Sequence, residues 1–289
     1  MTAASLLRID HAVASGGFDF QGVMGMGGVG LVASNMVGGV PRRVVFDPVF
    51  ACRECDRCRS GLSRHCIHRW ILGVVGRDGA LAQHICLPES NLVDIPSSLS
   101  DDEAIFAVPV AMAIHASRQI MFEGQTFVTV LGDSLEGLLC AQLMHQQNAS
   151  VRVVGEQLDR LAILDRWGIT GRPLAETGRR QDQDIVIDAI GSAASLNVAM
   201  ELVRPRGTVV RSVVGVERHS AAVDLTTQIL DEVSIIGSFC GSVAEAVGEL
   251  AGGLIDTVGL IGSRTDLDGA RAILTGEGQS SPLLTVVKP

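Results

Sequence analysis

Four cysteines, Cys52, Cys55, Cys58 and Cys66, stand within the stretch CRECDRCRSGLSRHC. Zinc binds four thiolates tetrahedrally. Two Cys-x-x-Cys steps and a loop that folds back let one short lobe supply all four. The alternative, a set of buried or disulfide-bonded cysteines, suits the run poorly, because it is polar and rich in arginine. A zinc held by four protein ligands has no open position for a substrate. The expected role of this metal, one per chain, is therefore to stabilise a lobe.

A second group of residues points to nucleotide chemistry. The loop GDSLEG runs from Gly132 to Gly137 between a β-rich run and a helical one. In a dinucleotide fold, glycines in such a loop allow a tight turn, close approach to the pyrophosphate, and packing of the helix on the sheet. Here Ser134 takes the middle glycine's place, and its hydroxyl is a candidate phosphate donor beside Leu135 and Gly137. Glu136 sets a carboxylate in the first helical turn, where an incoming pyrophosphate would prefer none. The other reading is that Glu136 simply favours the positive end of the helix dipole. Glu156 follows the next apolar run, where an acid can accept from the adenosine ribose and repel a 2′-phosphate, so any cofactor is expected to be NAD(H). A solvated loop residue is the competing reading of Glu156. Gly191, at the end of DIVIDAIG, completes the expected cofactor-contacting set.

Two absences narrow the remaining chemistry. The one lysine is Lys288 and there is no tyrosine. This argues against a Schiff-base lysine or a Tyr-Lys hydride-transfer pair, so any acid or base is expected to be His, Asp, Glu or Cys.

These residues need elements to position them. From Thr126 onward, strand-like and helical runs alternate: Thr126 to Gly132, Leu135 to Gln147, Val151 to Gly155, Leu158 to Trp167, Asp184 to Gly191, Ala193 to Val203, Gly207 to Gly215 and Val233 to Phe239. Repeated βα units with apolar strands predict a doubly wound parallel sheet, hence an α/β fold. The residues up to Val108 are glycine-rich and lack helical periodicity, as expected of a β-rich domain carrying the zinc lobe. Val243 to Leu250 reads as a helix and Leu283 to Val287 as a strand.

With 289 residues and 47% hydrophobic content, the chain is long enough for two domains with sizeable cores. A net charge of −9 argues against nucleic acid and anionic membranes as partners. No run reaches the length of a membrane span, and no signal peptide is recognised. With four cysteines committed to zinc and Cys86, Cys140 and Cys240 left over, a reduced, cytoplasmic setting is expected.

The cysteine lobe, the stretch LGVVGRDGALAQHICLP after it, and the Gly132 loop together resemble the medium-chain dehydrogenase/reductase superfamily, in its zinc-dependent, alcohol-dehydrogenase-like branch. The resemblance runs from Gly22 to Pro289. It implies a GroES-like catalytic domain over residues 1–108, a Rossmann coenzyme domain over 109–238, and a return to the catalytic domain over 239–289, in a homodimer with a small-molecule ligand. It also implies several more strands before Gly25 than this chain has.

The departures bear on activity. The family's Gly-His-Glu motif, whose His binds a catalytic zinc, reads Gly25-Met26-Gly27 here. The ligand cysteine falls on Gly16, the proton-relaying hydroxyl on Phe18, and the ligand expected before Pro109 on Val108. Asp19 matches the family's Asp beside the metal. His115 lies where relatives often carry His, and Cys240 follows the last sheet strand. Asp19, Met26, His115 and Cys240 are thus the candidate catalytic-site residues, with a packed histidine and an inert thiol as the competing readings of the last two. Met, Gly and Val cannot hold an open zinc. The expectation is a protein that keeps the structural zinc and has lost the catalytic one, repurposed for binding a small metabolite or for a non-redox step. The alternative is a zinc-free NAD(H)-dependent reductase acting on a small carbonyl or enone.

Overall fold

Apolar strands, many of them buried on both faces, frame the computed structural model, which describes residues 1–33, 42–121, 125–147, 149–216, 222–276 and 282–289. The chain divides into two units, Met1–Val108 with Ser242–Pro289, and Pro109–Gly241.

The first unit opens with β1 (Ala3–Leu6) and α1 (Arg8–Ala14), then β2 (Gly27–Leu31), β3 (Arg43–Phe46) and β4 (Val49–Phe50). The zinc lobe follows with α2 (Asp56–Arg59), β5 (Trp70–Leu72) and β6 (Gly76–Arg77), and then β7 (Leu92–Asp94), α3 (Asp101–Ala104) and the start of α4 (Ala107–Arg118). The sequence reading expected no helix before Val108, and α1 corrects it. Ile9, Ala12 and Val13 are buried at helical spacing, and the Asp10 carboxylate accepts the Leu7 N–H at 2.8 Å, fixing the helix start.

The second unit is built as predicted from βα units. It contains β8 (Phe127–Leu131), α5 (Leu135–Gln146), β9 (Ser150–Gly155), α6 (Leu158–Leu161), β10 (Thr170–Pro173), β11 (Gln183–Asp188), α7 (Ala193–Leu202), β12 (Val203–Arg211), α8 (Thr226–Leu230) and β13 (Ser234–Gly237). Its strands lie in the order β10-β9-β8-β11-β12-β13, and every pairing is parallel. The order reverses between β8 and β11, the place where such sheets bind ligands beyond the strands' carboxyl ends. Leu131, Val154, Val186, Met200, Leu202 and Val209 form part of the buried core. Edge strand β10 was not foreseen, because TGRP carries a glycine and a proline instead of an apolar run. The run from Leu158 to Trp167 relaxes from one α-turn into a 3₁₀ helix and stops at Gly168, whose φ of +66° suits glycine.

The chain then returns to the first unit with α9 (Val243–Ala251), β14 (Ile261–Asp266), α10 (Leu267–Leu274) and β15 (Leu284–Lys288). The sheet order is β14-β15-β1-β2-β3-β7, with a small β4-β5-β6 sheet beside it in sequence. Only β14 and β15 pair in parallel in the larger sheet. The second unit ends at Gly241, whereas the sequence reading placed that break after residue 238. Two backbone bonds account for the difference: Ser238 N–H to Arg211 O at 2.9 Å and Gly241 N–H to Ala111 O at 3.0 Å.

Candidate functional site

The four cysteines converge. Their sulfurs lie within 4.8 Å of one another, with separations of 3.4 Å (Cys52–Cys66), 3.5 Å (Cys55–Cys58), 3.8 Å (Cys55–Cys66) and 4.0 Å (Cys52–Cys58). Four bonds of about 2.3 Å to a tetrahedral zinc set neighbouring sulfurs about 3.8 Å apart, so the cluster fits a structural zinc site. Backbone N–H groups of Cys52 and His68 point at the Cys66 sulfur, and that of Cys55 at the Cys52 sulfur, each at 3.3–3.4 Å. Such donors favour the thiolate that a metal requires. The backbone N–H of Cys58 is the main influence holding Cys55 down to about 6. Arg64 anchors the lobe to the β3–β4 turn through both oxygens of Asp47, at 2.6 and 3.1 Å. Among the described residues, these cysteines are the one group of three or more His, Cys, Asp and Glu side chains whose ligand atoms come together.

Elsewhere in that unit, Met26 is completely buried just before β2, and Val108 is buried as well. A Cβ on Gly27 would lie 3.4 Å from Val108 Cβ, so two positions singled out far apart in the sequence are neighbours in space. The polar atom beside them is the buried Ser5 hydroxyl, which a Cβ on Gly27 would meet at 2.5 Å. Gly25 must be glycine here: its φ is +107°, and a side chain would collide with the backbone N–H of Leu81. Asp19 is exposed and Phe18 half-buried in the coil after α1.

In the second unit, the glycine loop has the geometry its motif requires. Gly132 leaves β8 with φ at +116°, and a Cβ on Gly137 would overlap the Gly132 carbonyl oxygen, so the turn closes only with glycine at both ends. Ser134 caps α5. Its Oγ accepts the Gly137 N–H at 3.3 Å and donates to the Ala189 carbonyl at 3.2 Å. The hydroxyl expected as a phosphate donor is thus already engaged in closing the loop. Leu135 is buried behind it, and Glu136 is only 6% exposed. The Cys140 thiol, one turn along the helix, is pushed up to about 12, first by burial and then by the Glu136 charge, which makes it inert.

At the carboxyl ends of β9 and β11 two acids organise the backbone. Asp133 accepts the N–H groups of Glu156 at 2.7 Å and Gln157 at 2.6 Å through one oxygen, while its other oxygen lies 3.8 Å from Arg160 Nη1. Glu156 itself is exposed and sits one residue past the strand, which ends at Gly155. Asp188 is fully buried. One of its oxygens accepts from Ile190 and Gly191 N–H at 3.1 and 3.0 Å, the other from Arg211 Nε at 3.1 Å. Gly191 has φ at +80°, and a side chain there would strike Val213 O and Gly215 N. Asp133 and the Asp188–Arg211 pair were missed in the sequence; the signal that could have exposed Asp133 is its position one residue after the loop's first glycine, with a bare glycine closing the next strand.

His115 and Cys240 belong to one neighbourhood. Gly241 packs against Ala111 O and His115 Cβ, and Cys240 is buried with its thiol directed at the Gly241 carbonyl, 3.6 Å away. The His115 Nε2 lies 3.0 Å from Gln119 Nε2.

Comparison with known proteins gives a consistent picture. Residues 137–257 match the Zinc-binding dehydrogenase family model, and residues 1–97 match the Alcohol dehydrogenase GroES-like domain model. The Probable D-xylulose reductase A of Arthroderma otae is 28% identical over 212 residues, covering 68% of this chain and 59% of that protein. The Emericella nidulans protein of the same name is 28% identical over 259 residues, covering 81% of this chain and 71% of its own length. The chain spans less than two thirds of the Arthroderma otae relative. Among solved structures, a zinc-binding dehydrogenase from Sinorhizobium meliloti 1021 bound to NADP superposes with a TM-score of 0.87 at 22% identity, covering 100% of this chain and 90% of that one. Galactitol-1-phosphate dehydrogenase from Escherichia coli gives 0.85 at 19%, covering 100% and 91%. At these identities the structures share the fold.

Proposed function

The chain belongs to the medium-chain dehydrogenase/reductase superfamily, in its alcohol-dehydrogenase-like branch, and from that premise we propose that it works without a catalytic zinc, as an NAD(H)-dependent reductase of a small carbonyl or enone. The observation that carries this reading is the identity of the residues at the three ligand positions, Gly16, Met26 and Val108, together with the four cysteines being the one ligand cluster among the described residues. A catalytic zinc needs three protein donors and one open position, and Gly16 with the buried Met26 and Val108 offers none of the nitrogen, oxygen or thiolate ligands that hold it. The structural zinc is independent of this, since its four ligands come from the cysteine lobe.

Support for the dinucleotide comes from the second unit. Gly132, Ser134, Leu135 and Gly137 form a closed loop at the start of a helix, at the point where the strand order reverses. The first N–H groups of α5 and its positive end would face a pyrophosphate, with Gly191 shaping the neighbouring turn. Bound there, NADH supplies the hydride. The protein's share is to orient the dinucleotide and to hydrogen-bond the substrate oxygen in place of a metal.

A second reading is favoured by Glu136, a carboxylate nine-tenths buried in the first turn of α5. Its charge opposes an anionic cofactor, and a protein that has lost dinucleotide binding would use its site to hold a small metabolite or carry out a non-redox step. Either reading has the protein as a cytoplasmic homodimer whose partner is a small molecule. The net charge of −9 accords with the lack of a nucleic-acid partner, and no helix among the described residues is long and apolar enough to cross a membrane.

The test is a titration with NADH by fluorescence and calorimetry, followed by assays of a carbonyl and enone panel with NADH and an alcohol panel with NAD, each with and without added zinc. Binding of NADH and zinc-independent reduction support the proposal. No binding favours the second reading. Zinc-stimulated alcohol oxidation on the order of 1 per second or faster would refute both.

A further inference from the structure

We propose that Asp133, in the glycine loop, is the residue that reads the adenosine ribose of the dinucleotide, accepting its hydroxyls and holding off a 2′-phosphate; Glu156 has no part in that choice. The inference rests on the reading that the second unit binds NAD(H), and deepens it.

In dinucleotide-binding sheets the ribose hydroxyls are accepted by an acid about 20 residues beyond the loop, after the second strand. The second strand of this unit, β9, ends in Gly155, which has no side chain to offer. The volume a side chain at 155 would take is filled from the neighbouring loop: a Cβ there would lie 2.6 Å from Asp133 Cβ and 2.7 Å from its Cγ. The carboxylate has therefore moved from the end of one strand to the loop after the adjacent one, and arrives at the same place.

It is also held in a fixed orientation. Oδ2 accepts the N–H groups of Glu156 and Gln157 at 2.7 and 2.6 Å, which leaves Oδ1, 3.8 Å from Arg160 Nη1, as the oxygen that would accept a ligand's hydroxyls. Only the backbone of Glu156 enters this arrangement, and its side chain stands in solvent.

The same contacts exclude a 2′-phosphate. Successive backbone N–H groups and a nearby arginine are what an anionic group would use. Both N–H groups are already bound to a carboxylate, and Arg160 has Asp133 Oδ1 3.8 Å from its Nη1. A phosphate would meet a negative charge where it needs donors. Removing the acid would release the two N–H groups and deprive Arg160 of that carboxylate, turning a site that rejects NADPH into one that tolerates it.

The experiment measures dissociation constants for NADH and NADPH by calorimetry and fluorescence on the full chain. Wild type should bind NADH at least tenfold more tightly than NADPH. Asp133→Ala should weaken NADH at least tenfold and bring the two cofactors close to parity. Asp133→Asn, which keeps an acceptor for the two N–H groups and so keeps the loop fixed, should move the same way by less. Asp133→Ala combined with Gly155→Asp puts the acid back on the strand and should restore the preference for NADH, while Glu156→Gln should stay within twofold of wild type. An unchanged preference in folded Asp133→Ala, or its loss in Glu156→Gln, would overturn the assignment while leaving dinucleotide binding intact. Failure of wild type to bind either cofactor would end the NAD(H) reading itself, and this assignment with it.

Discussion

Replacing Arg211 by methionine probes the most deeply placed charge in the second unit. Asp188 is 0% exposed and cannot recover water when its partner is removed. Breaking a buried ion pair from one side costs about 3–5 kcal/mol. Two features put this site at the low end. The Arg211 side chain is 29% exposed, so it has surrendered only part of its hydration, and the other Asp188 oxygen keeps the Ile190 and Gly191 N–H groups. The Arg211 bond to Ser192 O, 3.0 Å long, is lost as well, at about 1 kcal/mol or less at a half-exposed site. The expected loss is therefore about 3 kcal/mol. Two units need not unfold together, so the readout must belong to the second one. The chain's two tryptophans are Trp70 and Trp167, and a Trp70→Phe background leaves Trp167 to report on the unit that contains it. Urea melts followed by Trp167 fluorescence should show the loss, and Asp188→Asn together with Arg211→Met should recover part of it, because the stranded charge is gone. A loss under about 1 kcal/mol, or a double variant as unstable as the sum of the singles, would refute the reasoning.

Three further outcomes follow from the same structure. Metal analysis should find about one zinc per chain, and Cys58→Ser should lower both zinc content and melting temperature; two equivalents in wild type would reveal a second metal site. Gly137→Ala should destabilise the second unit by about 1–3 kcal/mol and weaken NADH binding, because its methyl group overlaps the Gly132 carbonyl oxygen; an unchanged melt would show that the loop yields freely. His11 is lowered from its ordinary value of 6.5, chiefly by burial and next by Arg8. The unfolded chain then takes up the proton first, so stability is present above about pH 6.5 and falls below it; the loss between pH 7.5 and 5.5 should shrink in His11→Gln.

The cysteine lobe was legible because its ligands lie within fifteen residues, and a loop that short brings them together without help from the rest of the fold. The parallel sheet was legible because buried β runs and amphipathic or apolar helices alternate at regular length. Helix α1 was not, since seven residues give too few turns for a period to emerge from a glycine-rich background. The packing of Asp133 against Gly155 was not legible either, because it joins residues 22 positions apart and no local pattern encodes it. In the same way, Gly27 and Val108 could be singled out separately, while their adjacency emerged only from the folded sheet.

Strand β1 has neighbours made at very different times. Ala4 pairs with Gly28 on one side and with Val287 on the other, so one of its partners is synthesised almost at once and the other some 280 residues later. At about 5–20 residues per second, roughly a quarter of a minute to a minute separates the two events. All through that interval one row of backbone donors and acceptors on β1 is open to mispairing, and the core that joins Ala4, Leu6 and Phe46 to Ala270 and Val287 cannot close. The contiguous stretch from Pro109 to Gly241 waits for nothing downstream of itself. On a ribosome stalled shortly after Gly241 has emerged, that stretch should already resist protease while Met1–Val108 is cut; equal resistance of both would show that β1 does not depend on its late partner.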